Sequence, residues 1–184
     1  MPRALVFATA LALLVPGSAL AKKKDKGGDG GDGRDLNFKK GTMQLGGSAT
    51  FDLSSYDGST SWWLNVNPSA GYFVTKKLEV FGALSFGLTD GATTWGIDGG
   101  GRYFFDMKPM WAYLGGQGGY GSFSVSGVKA NGFDVDGIGG VIIPLGKNVG
   151  LDLGASLGMV KYEGSDKGTF VMSAGYLGVE GFFR

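Results

Sequence analysis

The sequence predicts an all-β fold, an eight-stranded antiparallel up-and-down transmembrane β-barrel over residues 42–184. Three observations predict it. Apolar and polar residues alternate in eight segments, each about ten residues long or more. Turn residues separate these segments, and nothing between them has the length and period of a helix. The apolar parity carries no ionised residue across any strand centre, as expected for a face that contacts lipid.

Two segments precede the barrel. Residues 1–21 contain one positive charge at Arg3, an apolar run over residues 4–15, and the small residues Ala19 and Ala21. This is the layout of a signal peptide cleaved after Ala21, and the run is shorter than the roughly twenty apolar residues of a membrane-spanning helix. Residues 22–41 are charged and glycine-rich, which predicts a flexible periplasmic linker.

Part of this linker resembles a calcium-binding nonapeptide repeat. Residues 30–35 match its first six positions, but Asn37 stands where the repeat needs an apolar residue. No second copy follows at a spacing of nine residues. A β-roll needs several stacked turns, so the linker interpretation is preferred and no metal or cofactor is predicted.

Composition excludes several functions. Loss of Arg3 with the signal peptide leaves 17 − 1 = 16 basic residues against 16 acidic ones, so nothing indicates a nucleic-acid partner. There is no cysteine to form a disulfide or carry a lipid. There is no histidine, the commonest general base, and a serine–carboxylate pair without a base lacks an activated nucleophile. No enzymatic activity is predicted.

The first four strands follow in order. Residues 42–53 alternate Met, Leu, Gly, Ala and Phe with Gln, Gly, Ser, Thr and Asp. Residues 64–74 contain Pro68, which gives no ladder hydrogen bond and needs a bulge or a place in the periplasmic half of the strand. Residues 78–88 and 95–105 continue the alternation.

The fifth strand, residues 110–125, contains the run YLGGQGGYG. Gly116, Gly118 and Gly121 fit a dinucleotide-binding fingerprint, but a strand rather than a helix follows, and the acidic residue is not at the required spacing. Small residues in a narrow barrel instead admit bulky luminal neighbours. Gln117 is predicted to face inward, with a bulge near residues 119–121. The last three strands are residues 133–143, 149–159 and 171–183.

The charged residues within strands share the polar parity, which predicts a polar lumen and an apolar outside, the inverse of a lipocalin. They are Asp52, Glu79, Asp98, Arg102, Asp134, Asp136, Asp152 and Glu180. Arg102 is the only basic residue predicted deep in the lumen, and an unpaired buried charge is costly, so we expect it to pair with Glu79, Asp98, Asp152 or Glu180. The predicted luminal charge network, Asp52, Glu79, Asp98, Arg102, Asp152 and Glu180, either plugs the lumen or sits in trapped water.

The connections alternate in length. Residues 75–77, 106–109 and 144–148 are short, whereas 54–61, 90–94, 126–132 and 162–168 are longer. Short periplasmic turns and longer outer loops place both termini in the periplasm. Interface girdles are predicted from the aromatic residues near strand ends: Trp62, Trp63, Tyr72, Trp95, Tyr103, Phe105, Trp111, Phe182 and Phe183.

On these residues the chain resembles the small outer-membrane β-barrels of Gram-negative bacteria, which include OmpX-like, OmpA-membrane-domain-like and porin-family β-barrel domains. Residues 67–74 (NPSAGYFV) with 78–80 (LEV) look like their second hairpin, and residues 176–183 (YLGVEGFF) are similar to their closing strand. The resemblance implies location in the outer membrane and recognition of the closing strand by the assembly machinery, although Arg184 follows the terminal aromatic.

An eight-stranded barrel has an interior just wide enough for side chains to fill, so a structural or envelope-interaction role with a largely plugged lumen is predicted. The expected partners are outer-membrane lipid and lipopolysaccharide, and the expected state is a monomer. The first alternative is a narrow OmpW-like channel for small solutes, lined by Phe73, Phe81, Phe104 and Ile138. The second is a soluble secreted calyx.

Overall fold

The computed structural model describes residues 8–10, 36–56, 59–89, 91–125 and 127–184. The described residues contain nine β-strands and no helix. The strands are β1 (Ala8–Ala10), β2 (Met43–Tyr56), β3 (Ser59–Phe73), β4 (Leu78–Thr89), β5 (Ala92–Met107), β6 (Met110–Val125), β7 (Val128–Pro144), β8 (Val149–Tyr162) and β9 (Thr169–Phe183). No stretch of the described chain forms a helix long and apolar enough to cross a membrane.

Strands β2 to β9 close into a barrel. Each pairs antiparallel with the next along the chain, and β9 returns to pair with β2 from Met43↔Phe183 to Ser48↔Gly178. This confirms the predicted all-β, eight-stranded, up-and-down antiparallel barrel. The short strand β1 lies outside this circuit and pairs with Phe51–Leu53 on the edge of β2.

The connections at one end of the barrel differ from the prediction. Residues 74–77, 108–109 and 145–148 join strands at the end that holds Met43 and Phe183, which we call the terminal end. At the opposite, far end the strands continue to residues 57–58, 90–91 and 126–127, and only the connection over residues 163–168 is longer. The expectation of longer far-end loops is therefore wrong for three of the four, because their residues extend the strand pairing.

The side chains divide between the two faces with the predicted parity. Outward positions hold exposed apolar side chains in every strand of the barrel whose side chains are described, among them Leu45, Val80, Leu84, Ile97, Leu114, Val135, Leu157 and Met172. Inward positions hold the buried polar and charged residues Gln44, Glu79, Arg102, Asp152 and Glu180. Among the strand residues whose side chains are described, Lys129 and Lys161 are the only outward charges, and both lie near the far end.

One local prediction about strand regularity needs correction. Strand β6 has no bulge near residues 119–121, because its register with both neighbours runs unbroken from Trp111 to Val125. A register irregularity occurs instead between β8 and β9, at Gly154/Ala155. Pro68 causes no register shift: the β3–β4 ladder omits Asn67 and Pro68 and resumes at Ser69, and Pro68 lies in the half of β3 nearer the terminal end, one of the two placements predicted for it.

Candidate functional site

The candidate site is the barrel lumen, and its centre is the Arg102 side chain. Arg102 lies on β5, and its Nε donates to Glu79 Oε2 on β4 at 2.8 Å. Its Nη1 donates to Glu180 Oε1 on β9 at 2.8 Å and to Asp152 Oδ2 on β8 at 3.3 Å. All four side chains are buried. One guanidinium therefore joins carboxylates from three strands across the interior.

Aromatic side chains complete the surroundings of this guanidinium. The Arg102 Cζ lies 5.1–5.5 Å from the ring centroids of Phe81, Phe104 and Tyr113, within the range of cation–π attraction. The Tyr113 hydroxyl donates to Asp152 Oδ1 at 2.8 Å and also contacts the Tyr176 hydroxyl. The charges are thus held between rings on several sides, which fixes the position of Arg102.

The network does not balance its charges. Three carboxylates surround one guanidinium, and Glu79 Oε1 and Glu180 Oε2 are buried without a hydrogen-bond partner among the described residues. Gln44 lies nearby, and its Nε2 donates to Ser69 Oγ at 3.2 Å. The lumen at this level is therefore polar and densely filled, with an excess of acidic groups.

The other predicted network members lie elsewhere. Asp98 forms no ion pair with Arg102 in the described structure, and it stands four residues farther along β5, about 13 Å away at the rise of an extended strand. It shares its level of the lumen with Asp134, while Asp136 Oδ2 accepts from Gln117 Nε2 at 3.3 Å. Gln117 thus faces inward, as expected. The Asp52 side chain lies outside the described part of the structure.

A layer of apolar side chains fills the lumen between this network and the terminal end. Phe38 lies at its centre, and its ring centroid is 4.7–5.1 Å from those of four other aromatic residues. These are Phe73 on β3, Phe104 on β5, Trp111 on β6 and Phe182 on β9. Leu36 and Ile142 are buried in the same cluster. Residues 36–38 therefore enter the barrel and occupy its axis.

This insertion changes the picture of the linker predicted over residues 22–41. Its described part is not a free tether, because Leu36 and Phe38 are 2% and 4% exposed. Gly41 N–H donates to Phe73 C=O at 2.9 Å, and Thr42 N–H donates to Lys39 C=O at 3.0 Å. Gly41 has φ +91°, which favours glycine at this turn into β2. Residues 22–35 lie outside the described chain.

Sequence reasoning missed this layer in two respects. Trp111 and Phe182 were expected in the outer girdles, but both turn inward and join the cluster. Leu36 and Phe38 are apolar residues within a charged segment, and no local pattern in the sequence marks them as buried. The predicted girdle residues Tyr72, Trp95, Tyr103, Phe105 and Phe183 are exposed on the outside.

Two cavities adjoin these layers. One of about 110 Å³ lies on the far side of Arg102 and is lined by Ser48, Asn67, Phe81, Gln117, Ile138 and Tyr176, among others. The other, of about 370 Å³, lies at the terminal end against residues 36–38. No group of three or more histidine, cysteine, aspartate or glutamate residues arranged to hold a metal ion occurs among the residues described.

Comparison with known proteins adds a fold relationship. No protein-family model matches the chain, and no curated protein sequence is significantly similar. Among solved structures the chain is similar to Neisserial surface protein A (NspA), an outer-membrane barrel of eight strands. The two share 20% sequence identity with a TM-score of 0.57, over 77% of this chain and 96% of NspA. At this level of identity the likeness concerns the fold.

Proposed function

We propose that the chain is an outer-membrane β-barrel with a structural or envelope-interaction role, and that two layers in series close its lumen. The inside-out polarity supports the membrane location, since the outward positions are apolar and the buried ones carry the charges. A secreted calyx would place these two kinds of residue the other way round. The fold shared with NspA is consistent with this proposal.

One observation carries the closed lumen: the Phe38 ring lies on the barrel axis among rings from β3, β5, β6 and β9. An eight-stranded barrel is narrow enough for a single side chain on its axis to block it. The Arg102 network crosses the next level of the lumen. A solute would have to displace both layers.

The orientation follows from the termini. In barrels of this kind with an even number of strands, both ends of the chain and the short turns lie in the periplasm. The terminal end with residues 36–42 would therefore face the periplasm after cleavage of the signal peptide behind Ala21. The exposed apolar side chains on the outer face would contact outer-membrane lipid and lipopolysaccharide. Strand β9 would be the strand that the assembly machinery recognises. In this proposal the protein is a monomer in the outer membrane.

We also propose that the role is not catalytic. The chain contains no histidine, and the buried carboxylates Glu79, Asp152 and Glu180 all contact Arg102. A serine–carboxylate pair without an intervening base lacks an activated nucleophile.

Conductance in planar lipid bilayers tests the closure. We expect no stable channels from the wild-type protein, and none from Arg102→Ala or Leu36→Ala/Phe38→Ala, because each variant retains one layer. The combined variant Leu36→Ala/Phe38→Ala/Arg102→Ala should conduct. Lys147→Ala, in an exposed turn, is the control and should behave as the wild type.

Stable channels from the wild-type protein would contradict the closed lumen and favour the narrow OmpW-like channel. A combined variant that folds but does not conduct would show that other side chains block the barrel. Heat-dependent migration in detergent gels establishes in each case that the variant is folded.

A further inference from the structure

The terminal end of the barrel is strongly basic. Its described residues include one acidic side chain, Asp106, and seven cationic ones. The cationic residues are Lys39, Lys40, Lys76, Lys77, Lys108, Lys147 and Arg184. None of them forms an ion pair within the described structure, where the three ion pairs all involve Arg102. Their charges are therefore available to a partner.

Three of these lysines surround a concave pocket. The cavity of about 370 Å³ is lined by Lys76 and Lys77 from the turn between β3 and β4, and by Lys108 and Pro109 from the turn between β5 and β6. Its volume is within the range of roughly 300–1,000 Å³ that is usual for small-ligand sites. The pocket thus combines a rim of net positive charge with enough space for a ligand that carries several side chains.

The floor of this pocket is apolar. Leu36 and Phe38 of the inserted segment form it together with Met110 and Trp111 at the start of β6. Leu36 and Phe38 are buried, whereas the lysines and Asp106 at the rim are exposed. A ligand that fits would carry several negative charges at one end and an apolar group at the other.

We propose that this pocket binds carboxylate-bearing peptides that have an apolar side chain. Lysine is a compact point charge with three rotatable donors, which suits carboxylates at variable positions. The position of the pocket favours a peptide over a lipid headgroup. Its floor is the plug on the barrel axis, whereas headgroups would lie against the outer circumference, where Tyr72, Tyr103 and Phe183 are exposed.

Calorimetric titration of the full barrel in a non-ionic detergent tests this proposal. The probe is the tripeptide acetyl-Leu-Glu-Glu with a free carboxyl terminus, which offers three carboxylates, and acetyl-Leu-Gln-Gln-amide is its neutral counterpart. We expect the charged peptide to bind, more weakly as salt is added, and the neutral one not to bind. Lys76→Gln/Lys77→Gln/Lys108→Gln should weaken binding about tenfold, the sum of three exposed charge contacts.

A second triple variant is matched for charge and for the end of the barrel. Lys39→Gln/Lys40→Gln/Lys147→Gln removes the same charge from the terminal end, but none of its residues lines the pocket. It should change the affinity by less than about threefold, because these charges act only through screened solvent. All six lysines are exposed, so both variants should fold, which gel migration verifies.

Three outcomes would overturn the proposal. One is the absence of binding by the wild-type protein. Another is an equal loss in the two triple variants, which would assign the effect to the charge of the whole face. The third is binding of glycerol phosphate as tight as that of the tripeptide, which would indicate a lipid-headgroup site. None of these outcomes depends on whether the lumen conducts.

Discussion

At the scale of single residues, the glycines of β6 occupy two different environments. Gly115 points inward, where an added Cβ would overlap the Gly101 carbonyl oxygen and lie 3.1 Å from the Arg102 Cα. Gly116 points outward, where a Cβ would lie 3.5 Å from the Asp136 carbonyl oxygen, an ordinary contact. The close approach of the β5 backbone therefore explains the glycine at position 115, whereas the outward-facing Gly116 has no such steric reason.

This difference predicts opposite effects of the same substitution at adjacent positions. Gly115→Ala should destabilise the barrel by about 1–3 kcal/mol, the usual cost of overpacking, because the backbone of β5 would have to move. Gly116→Ala should be neutral, or stabilising by up to about 1 kcal/mol through the reduced entropy of the unfolded chain. Urea unfolding in phosphatidylcholine vesicles measures both, and equal effects would contradict the assigned facing of β6.

At the scale of elements, period-two alternation was sufficient to predict all eight barrel strands and the inward face of the charged residues that it placed in strands and whose side chains are described. It failed near the far end of the barrel. Phe123 and Val125 occupy inward positions of β6 without a bulge, because they lie beyond Trp95, Tyr120 and Phe133, whose rings contact one another on the outer face. Past that belt an apolar residue can point either way at little cost.

The inserted segment could not be predicted from local pattern, because its stability comes from rings contributed by distant strands. Two apolar residues among charges do not indicate burial until the barrel supplies Phe73, Phe104 and Phe182 around them. The hydrogen bonds described for residues 36–39 all join Lys39 to Thr42, at the C-terminal end of the segment. Side-chain packing must therefore hold this segment in the lumen.

Single-cysteine labelling measures that packing, since the chain has no cysteine of its own. Leu36→Cys should react slowly with a water-soluble maleimide. Adding Phe38→Ala should accelerate the reaction by at least about a hundredfold, because loss of a buried phenylalanine costs about 3–5 kcal/mol. Asn37→Cys is exposed and should react fast in both backgrounds. Equal rates for Leu36→Cys with and without Phe38 would contradict anchoring by the aromatic cluster.

At the scale of the whole molecule, the pairing of β9 with β2 depends on whether β1 is still attached. Strand β1 pairs with Phe51–Leu53, whereas β9 pairs with β2 only from Gly178 to Phe183. Cleavage after Ala21 would remove β1 and free this edge of β2. Unpaired backbone groups in hydrocarbon cost several kcal/mol each. We therefore expect β9 to extend its pairing along β2 in the mature barrel, so that the seam closes along its length.

The outer surface also has the dimensions of a membrane-spanning band. On β5 the exposed rings of Trp95 and Tyr103 are eight residues apart, which corresponds to about 20 Å along the axis for a strand tilted by roughly 40°. The apolar band of outer-membrane barrels is about 25 Å tall. Leu84 lies near the middle of β4 within this band, and Thr93 lies beyond Trp95 on the far side.

A lysine scan of this surface separates a membrane barrel from a soluble one. In vesicles, Leu84→Lys should lower the free energy of unfolding by about 2–4 kcal/mol, because the charge would face hydrocarbon near the midplane. Thr93→Lys should cost about 0–1 kcal/mol, because it faces the interface or water. Both positions point outward and neither contacts the lumen. A larger loss of stability at Leu84 than at Thr93 would therefore show that the outer face contacts hydrocarbon at the level of Leu84. If both substitutions were harmless and the protein folded in buffer without lipid, the outer face would be in contact with water.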